Sequence, residues 1–381
     1  MRSEKGITTT TAIILAVVVT VIIVAPVVYL VTSPTAPTAT APAQTVTVTT
    51  SAQIAPEVTY PTGIKWGFIT TSDETDLGWS ASAVEAADYA DIKYEASSDV
   101  TRFAVLNVGD TPRMIRDYVA AGYDVILTNG AEFSVYVLEP ALEAPDVKFI
   151  AVNIPPSFEE DLPPNVIGVN ERSDEAQYLS GIVAGHMTQT NNVGMIIGEN
   201  YLPLHAESLS YTAGVKSVSS AIDIHLVYAG TWIDATLGYT LADAMIEEHN
   251  VDVIDQVADV TGRGVVSAAV DKNIWVIGCY GDQSSWAPNN TLTSYELDYA
   301  PLVDIVYEIL AQDKWDEYGG KIWNLGLKSG TGYLVPFTFF IDGLVPDEAK
   351  ASIEQAKQDI INGTLRLPGD DLFDFPNLTS P

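Results

Sequence analysis

Several short segments of this chain place aromatic, acidic and amide side chains directly after apolar runs that are typical of β-strands. One segment contains Asp76 and Trp79, another ends in Asn129 and Gly130, and a third carries Trp232. The carboxyl ends of parallel strands border the ligand crevice in open α/β sheets, and pockets there combine aromatic walls with a few polar groups. These segments therefore predict a binding site for a small molecule.

Both tryptophans also have a structural interpretation. Trp79 could pack on the sheet as an ordinary helix residue, but its position just after a strand, beside Asp76 and Gly78, favours a place in the pocket. The same reasoning favours the pocket for Trp232. We expect both indoles to face the ligand.

Other polar residues in these segments are ambiguous. Asp234 is expected to cap the helix 235–249, because an Asp at that position accepts hydrogen bonds from free backbone N–H groups. The segment 261–264 lacks the Lys-Ser/Thr pair of a phosphate-binding loop, so a plain strand-to-helix turn is expected there. For Asp282 three roles are compatible with the sequence: a ligand contact, a helix cap or a surface acid.

No catalytic constellation is visible in the sequence. The four histidines show no metal-ligand spacing, no serine stands in a glycine-flanked elbow, and Cys279 lies in an apolar run without an activating neighbour. We therefore expect no enzyme, no cofactor and no metal site, and Cys279 is expected to be a buried small hydrophobe. The remaining alternative is a hydrolase whose catalytic residues are distant in sequence and come together only in the fold.

The charge balance excludes one class of partner. Eighteen basic residues stand against 50 acidic ones, which gives a formal net charge of −32. Such a surface repels phosphate backbones, so we expect no binding to nucleic acid.

The N-terminal region predicts a membrane anchor. No charged residue occurs in 6–56, and the apolar run 12–31 has the roughly 20 residues that a helix needs to cross a bilayer. Arg2 and Lys5 precede the run and favour a cytoplasmic N-terminus. A cleaved secretory signal is the alternative, as is cleavage after Gly6 in the manner of prepilin-type signals, which leaves the helix in place.

This topology divides the chain into three parts. Residues 1–31 form the signal or anchor, residues 32–62 form an extended stalk rich in Thr and Pro, and residues 63–381 form the main domain. The expected location is the cell membrane, with a single N-terminal span and an extracellular domain.

The main domain alternates short apolar runs with longer amphipathic ones, and the pattern occurs twice. The predicted strands span 64–70, 124–129 and 147–153 in the first series, and 193–198, 224–229, 251–254 and 274–278 in the second. Repeated βα units require parallel sheets. The sequence thus predicts an α/β fold with two lobes, the first from 63–170 and 294–322, the second from 171–293 and 323–365.

Motifs in this domain resemble those of a known family. They are Asp76-Leu77-Gly78-Trp79, Asn165-Val166-Ile167-Gly168-Val169, Glu175-Ala176-Gln177-Tyr178-Leu179-Ser180-Gly181, Gly230-Thr231-Trp232, Thr261-Gly262-Arg263-Gly264-Val265 and Ile277-Gly278 followed by Asp282-Gln283. Each motif alone is weak, but their order and spacing resemble the basic-membrane-protein family of ABC-transporter substrate-binding proteins, which includes purine-nucleoside receptors. The resemblance covers about residues 64–343.

That resemblance implies a bilobed type I periplasmic-binding fold, in which two Rossmann-like lobes joined by a hinge close on a nucleoside or similar heterocycle. It implies that Trp79 and Trp232 stack on the two faces of the base. It also implies that Asp76 accepts hydrogen bonds from the base.

Four further site residues are implied in the same way. Asn129 and Gly130 would border the pocket, Gly262 would present backbone donors, and Asp282 would accept hydrogen bonds from ribose hydroxyls. The chain departs from the family at Tyr280, where many nucleoside-binding relatives have Asp. Another aromatic or heterocyclic ligand is therefore a further expectation.

The implied partners are a nucleoside-like solute, the subunits of an ABC permease, and the membrane through the N-terminal helix. The expected mechanism is capture of the solute, hinge closure, and docking of the closed form on the permease. A membrane-tethered sensory receptor with the same lobes and a pilin-like surface assembly subunit are the alternatives.

Overall fold

The computed structural model describes residues 58–379 and residue 381. The expected anchor 1–31 and most of the expected stalk 32–62 lie outside the described residues, so both stay predictions. None of the helices in the described part combines the length and the apolar character needed to cross a membrane.

The strands of the described chain are short and mostly buried. In chain order they are β1 (Lys65–Ile69), β2 (Ser97–Thr101), β3 (Val125–Asn129), β4 (Lys148–Val152), β5 (Val166–Glu171), β6 (Asn192–Ile197), β7 (Asp223–Tyr228), β8 (Val253–Val257), β9 (Trp275–Gly278), β10 (Thr291–Leu297), β11 (Lys321–Leu325) and β12 (Gly332–Leu334). Every residue of β3, β5 and β8 is buried, the polar ones included, as expected for strands covered on both faces.

Helices connect most of these strands. They are α1 (Trp79–Tyr94), α2 (Thr111–Ala120), α3 (Ala131–Ser134), α4 (Leu138–Glu143), α5 (Ser173–Met187), α6 (Leu202–Val218), α7 (Ala235–His249), α8 (Asp259–Lys272), α9 (Ala300–Ala311), α10 (Trp315–Tyr318), α11 (Phe339–Asp342) and α12 (Asp347–Ile361). The prediction that Asp234 caps α7 is confirmed, because its carboxylate accepts a hydrogen bond from the backbone N–H of Leu237 at 2.9 Å.

The strands form two six-stranded sheets. The order is β11-β5-β4-β3-β1-β2 in the first sheet and β12-β10-β9-β8-β6-β7 in the second. Within these sheets only the β10–β12 pair is antiparallel. The predicted α/β architecture with two parallel sheets is therefore confirmed.

Three connections between strands pass from one sheet to the other. They follow β5, β10 and β11. Two hydrogen bonds join the third connection to the first two: the N–H of Arg172, after β5, donates to the carbonyl of Leu325 at the end of β11 at 2.7 Å, and that of Asp298, after β10, donates to the carbonyl of Thr331 at 2.7 Å. The three connections therefore lie side by side.

The expected lobe divisions after residues 293 and 322 fall inside strands. Strand β10 pairs with β9 and β12 of the second sheet, and β11 pairs with β5 of the first along its whole length. Strand pairing thus places these two crossings later in the chain, after β10 and after β11.

Candidate functional site

The two sheets direct the carboxyl ends of their strands toward one cavity of about 290 Å³. Its lining includes residues that follow β1, β3 and β4 of the first sheet and residues that follow β6, β7, β8 and β9 of the second. This is the crevice that open parallel sheets are expected to form. Besides aliphatic and small polar side chains, its walls include the aromatic residues Trp79, Tyr201, Trp232 and Tyr280 and the acidic residues Glu132, Glu199 and Asp259.

Trp79 is the first residue of α1 and forms part of the cavity wall. Its indole Nε1–H donates to the carbonyl of Asn129 at 3.1 Å, and the Asn129 amide donates back to the carbonyl of Trp79 at 2.9 Å. The hydroxyl of Tyr299 in turn donates to Asn129 Oδ1 at 2.9 Å. This network fixes the indole in one orientation, and Asn129 itself is fully buried behind the wall rather than in it.

Trp232 lines the cavity from the second lobe, in the loop after β7. Its six-membered ring lies against Gly198, where an added Cβ would come within 2.2 Å of the indole. The ring of Tyr201 lies 6.5 Å away between centroids at 35°. The predicted position of both tryptophans, one from each lobe, thus agrees with the cavity geometry.

Tyr280 is an aromatic wall residue that the sequence singled out only as a departure from the family. Its ring meets Trp79 edge-on, with centroids 5.1 Å apart, and its hydroxyl donates to Glu207 Oε1 at 2.8 Å. Glu207 is fully buried and also accepts hydrogen bonds from Ser173 and Tyr295. Burial raises the pKa of Glu207 to about 7 although these donors oppose the shift.

Asp76 lies outside the cavity lining. Its buried carboxylate accepts hydrogen bonds from the backbone N–H groups of Gly78, Ser80 and Ala81 at 2.7 to 3.1 Å. These bonds satisfy free donors at the beginning of α1. The carboxylate therefore holds the helix that presents Trp79, and its predicted contact with the ligand stays a prediction.

The remaining predicted residues also lie beside or away from the lining. Gly130 directly precedes Ala131 and Glu132, which do line the cavity. Gly262 lies in the first turn of α8, and its N–H donates to the carbonyl of Ala258 at 3.0 Å. Asp282 is exposed, and its carboxylate accepts a hydrogen bond from the N–H of Ser284 at 2.9 Å. The predicted ligand contacts of these residues stay predictions.

Residues 261–264 were expected in a turn between strand and helix, and the structure corrects this. All four residues lie within α8, which already begins at Asp259. The turn is shorter than expected because Asp259 adopts a left-handed backbone conformation, φ 45°, that redirects the chain directly after Ala258.

The acidic wall residues were missed as site residues. Glu132, Glu199 and Asp259 each come within three residues of a strand end, which is the signal that could have identified them. Burial and the nearby carboxylates of Asp76 and Glu132 raise the pKa of Asp259 to about 8, and Arg263 opposes this shift. Burial also raises the pKa of Glu132.

The two lobes touch along one edge of the cavity. Arg263 of α8 donates to the carbonyl of Thr75, and Gln283 Nε2 donates to the carbonyl of Asp76 at 3.4 Å. The backbone of Gly281 lies against Leu77, where an added Cβ would stand 2.4 Å from the carbonyl oxygen. The structure therefore has the lobes in contact on this side.

The described residues contain no group of His, Cys, Asp or Glu side chains arranged to hold a metal ion. Cys279 is free and buried. Burial raises the pKa of its thiol well above the usual value, which agrees with the expected role as a small hydrophobe.

Comparisons with known proteins identify the family of the chain. The profile of the Bmp family, described as ABC transporter substrate-binding protein PnrA-like, matches residues 64–370. Basic membrane protein A1 of Borrelia garinii subsp. bavariensis is 29% identical over 251 residues, which cover 65% of this chain and 72% of that protein. The ABC transporter nucleoside-binding protein BmpA of Lactococcus lactis subsp. cremoris is 32% identical over 222 residues, covering 54% of this chain and 60% of that one.

A solved structure agrees with this assignment. The ABC transporter system solute-binding protein of Conexibacter woesei DSM 14684 superposes with a TM-score of 0.68 at 25% identity, covering 80% of this chain and 99% of that chain. The bilobed periplasmic-binding fold is thereby confirmed. Proteins of this kind bind a solute rather than convert it, which confirms the expectation that the chain is not an enzyme. The chain belongs to the Bmp family of ABC transporter substrate-binding proteins.

Proposed function

We propose that this receptor captures a nucleoside or a similar heterocyclic molecule between its two lobes and delivers it to an ABC permease. The observation that carries the proposal is the position of Trp79 and Trp232, which line one cavity from opposite lobes. Flat aromatic walls favour a flat ring between them. The name of the Lactococcus lactis relative, a nucleoside-binding protein, supports the same class of ligand.

The proposed motion is a hinge closure about the three connections after β5, β10 and β11. The first lobe comprises the first sheet with α1 to α4, α9 and α10, and the second lobe comprises the second sheet with α5 to α8 and α12. A ligand drives closure only if it binds the closed arrangement more tightly than the open one. Because wall residues come from both lobes, a ring in the cavity gains its full set of contacts only when the lobes are together.

Titration calorimetry with adenosine, guanosine and inosine tests the ligand class. We expect at least one of them to bind, and Trp79→Ala and Trp232→Ala each to weaken that binding about fivefold or more, since stacking on a base contributes about 1–3 kcal/mol. Trp323→Ala is the matched control. That indole is half-buried in β11, outside the cavity lining, and its Nε1–H donates to the carbonyl of Tyr318 at 2.9 Å.

Two results would contradict the proposal. One is failure of all three nucleosides to bind the folded receptor. The other is that Trp232→Ala and Trp79→Phe, like the control Trp323→Ala, do not change the affinity for the nucleoside. Trp79→Phe is included because Trp79 is 9% exposed and also packs in the core, so the alanine variant can lose stability as well as affinity.

We further propose that the receptor is held outside the cell membrane by residues 12–31, with 32–62 as a tether. A tether raises the effective concentration of a receptor near its permease. The full chain is expected in the membrane fraction, and a chain that lacks residues 1–31 is expected in the soluble fraction. A mature protein whose N-terminal sequence begins after residue 31 would instead indicate a cleaved secretory signal.

A further inference from the structure

The charged side chains that line the cavity are all acidic. Carboxylates enter it from both lobes: Glu132 follows β3 of the first sheet, while Glu199 and Asp259 follow β6 and β8 of the second. No lysine, arginine or histidine is among the described residues that line it. The cavity therefore presents acidic groups without a compensating cation in its wall.

Two of these carboxylates, those of Glu132 and Asp259, have no hydrogen-bond donor from another described residue. Glu132 is bonded only by its own backbone N–H. Asp76, in contrast, is saturated by backbone donors. Glu132 and Asp259 thus bring acceptors without a donor from another residue to the lining of the cavity.

Positive charge near these groups is directed elsewhere. Arg263 is the nearest cation to Asp259, but its guanidinium donates to the carbonyl of Thr75 and lies over the ring of Trp286, 5.2 Å from the centroid. Its charge therefore supports the contact between the lobes and is not presented in the cavity wall.

The aromatic walls favour the same kind of ligand as the carboxylates. The faces of Trp and Tyr rings attract cations, and sites for permanently charged ammonium groups combine several such rings. Here Trp79, Tyr201, Trp232 and Tyr280 line the same cavity as the acidic groups. A flat ring that carries a positive charge would stack on the indoles and also neutralise the carboxylates.

We propose that the cavity selects a positively charged nitrogen heterocycle over a neutral ring of the same shape, and that it rejects phosphorylated ligands. The inference rests on the proposed function, because it assumes capture of a flat ring between Trp79 and Trp232. A neutral ring leaves the negative charge of the carboxylates uncompensated, whereas a phosphate group places further negative charge beside them.

Probes that differ in charge but hardly in shape test this selection. Nicotinamide riboside carries a pyridinium charge, dihydronicotinamide riboside is its neutral form, and nicotinamide mononucleotide adds a phosphate. 1-Methyladenosine and N6-methyladenosine form a second pair, the first cationic and the second neutral at pH 7. At low salt we expect each cation to bind at least tenfold more tightly than its neutral partner, and the mononucleotide to bind at least tenfold more weakly than the riboside.

The affinity for nicotinamide riboside should also depend on pH. The groups around Asp259 are Asp76 before α1, Glu132 on α3, Arg263 on α8 and Cys279 after β9. With a pKa of about 8, Asp259 is mostly protonated at pH 6 in the free cavity, and a bound cation favours its ionised form. The affinity for nicotinamide riboside is therefore expected to rise from pH 6 to pH 8.5. The ratio of this affinity to that for dihydronicotinamide riboside should rise over the same range.

Substitutions assign the selection to these carboxylates. Asp259→Asn, Glu132→Gln and Glu199→Gln should each reduce the ratio of cation to neutral affinities, and Asp259→Asn should also remove its rise with pH. Asp223→Asn is the matched control, because Asp223 is an exposed acid at the beginning of β7 and lies outside the cavity. This variant should leave the ratio unchanged.

The outcomes separate this inference from the proposed function. If neutral nucleosides bind in a manner that depends on Trp79 and Trp232 while both cations bind no better or not at all, cation selection is wrong and nucleoside capture stands. If no probe of either charge binds, or if the affinity does not depend on Trp79 and Trp232, the proposed function is wrong. This inference is then wrong as well.

Discussion

Replacing Gly181 by valine is expected to lower the free energy of unfolding by about 3 kcal/mol, at the upper end of the usual cost of overpacking. Helices α5 and α6 touch through their backbones at this point. An added Cβ on Gly181 would stand 2.2 Å from the carbonyl oxygen of Tyr211, and one on Gly214 would stand 2.1 Å from that of Tyr178. No rotamer relieves a clash with main chain, so the helices must separate and their packing is lost.

Urea unfolding followed by tryptophan fluorescence measures this effect. Gly343→Val is the matched control, because an added Cβ there meets nothing within 4 Å and the backbone has an ordinary φ of −72°. The control should change the free energy of unfolding by no more than about 0.5 kcal/mol. A Gly181→Val protein as stable as this control would show that α5 and α6 are not in backbone contact.

The strands of the central sheets could be predicted from the sequence because they are buried on both faces. The run 193–198 contains only apolar residues and glycine, and 124–129 has an apolar centre at 125–127; the structure has β6 and β3 there within one residue at each end. Burial on both faces requires helices above and below the sheet, so the α/β class followed from the same runs.

The apolar runs did not identify β2, β5, β10, β11 and β12, and in two of these, β2 and β12, the signal is weak. Strand β2 reads Ser-Ser-Asp-Val-Thr and lies at the edge of the first sheet, where none of its residues is fully buried. Strand β12 has only three residues. Edge strands need fewer apolar side chains, so periodicity and composition do not reveal them. The predicted boundaries between the lobes differ from the observed ones because they depend on which strands β10 and β11 pair with.

The candidate site was predictable only in part, for a similar reason. A residue that follows the end of a strand is expected near the crevice. This rule was enough to predict that Trp79 and Trp232 lie there. Whether its side chain faces the cavity depends on local hydrogen bonds: the carboxylate of Asp76 is taken by the helix that follows it, whereas that of Asp259 is free. The grouping of Glu132 with Asp259 requires the two lobes to be placed together, which no local pattern contains.

Gly281→Ala is expected to weaken ligand binding about 5- to 150-fold without unfolding the protein. The added Cβ would stand 2.4 Å from the carbonyl oxygen of Leu77, across the contact between the lobes. Leu77 cannot easily move, because its left-handed backbone, φ 48°, ends the turn 74–76 and leads into α1. The lobes can relieve the clash by opening, and a destabilisation of the closed arrangement by about 1–3 kcal/mol reduces the apparent affinity by this factor.

Two measurements distinguish opening from loss of structure. Small-angle scattering of the Gly281→Ala protein, at a nucleoside concentration that saturates the unsubstituted protein, should give a larger radius of gyration than that of the unsubstituted protein under the same conditions. The urea midpoint should stay close to that of Gly343→Ala, which adds the same methyl group in open space. Because binding needs walls from both lobes, the affinity for whichever of adenosine, guanosine and inosine binds should fall together with this opening. An unchanged radius with unchanged affinity would mean that the contact between Gly281 and Leu77 is not part of the ligand-binding arrangement, and the proposed hinge closure would then need a different contact surface.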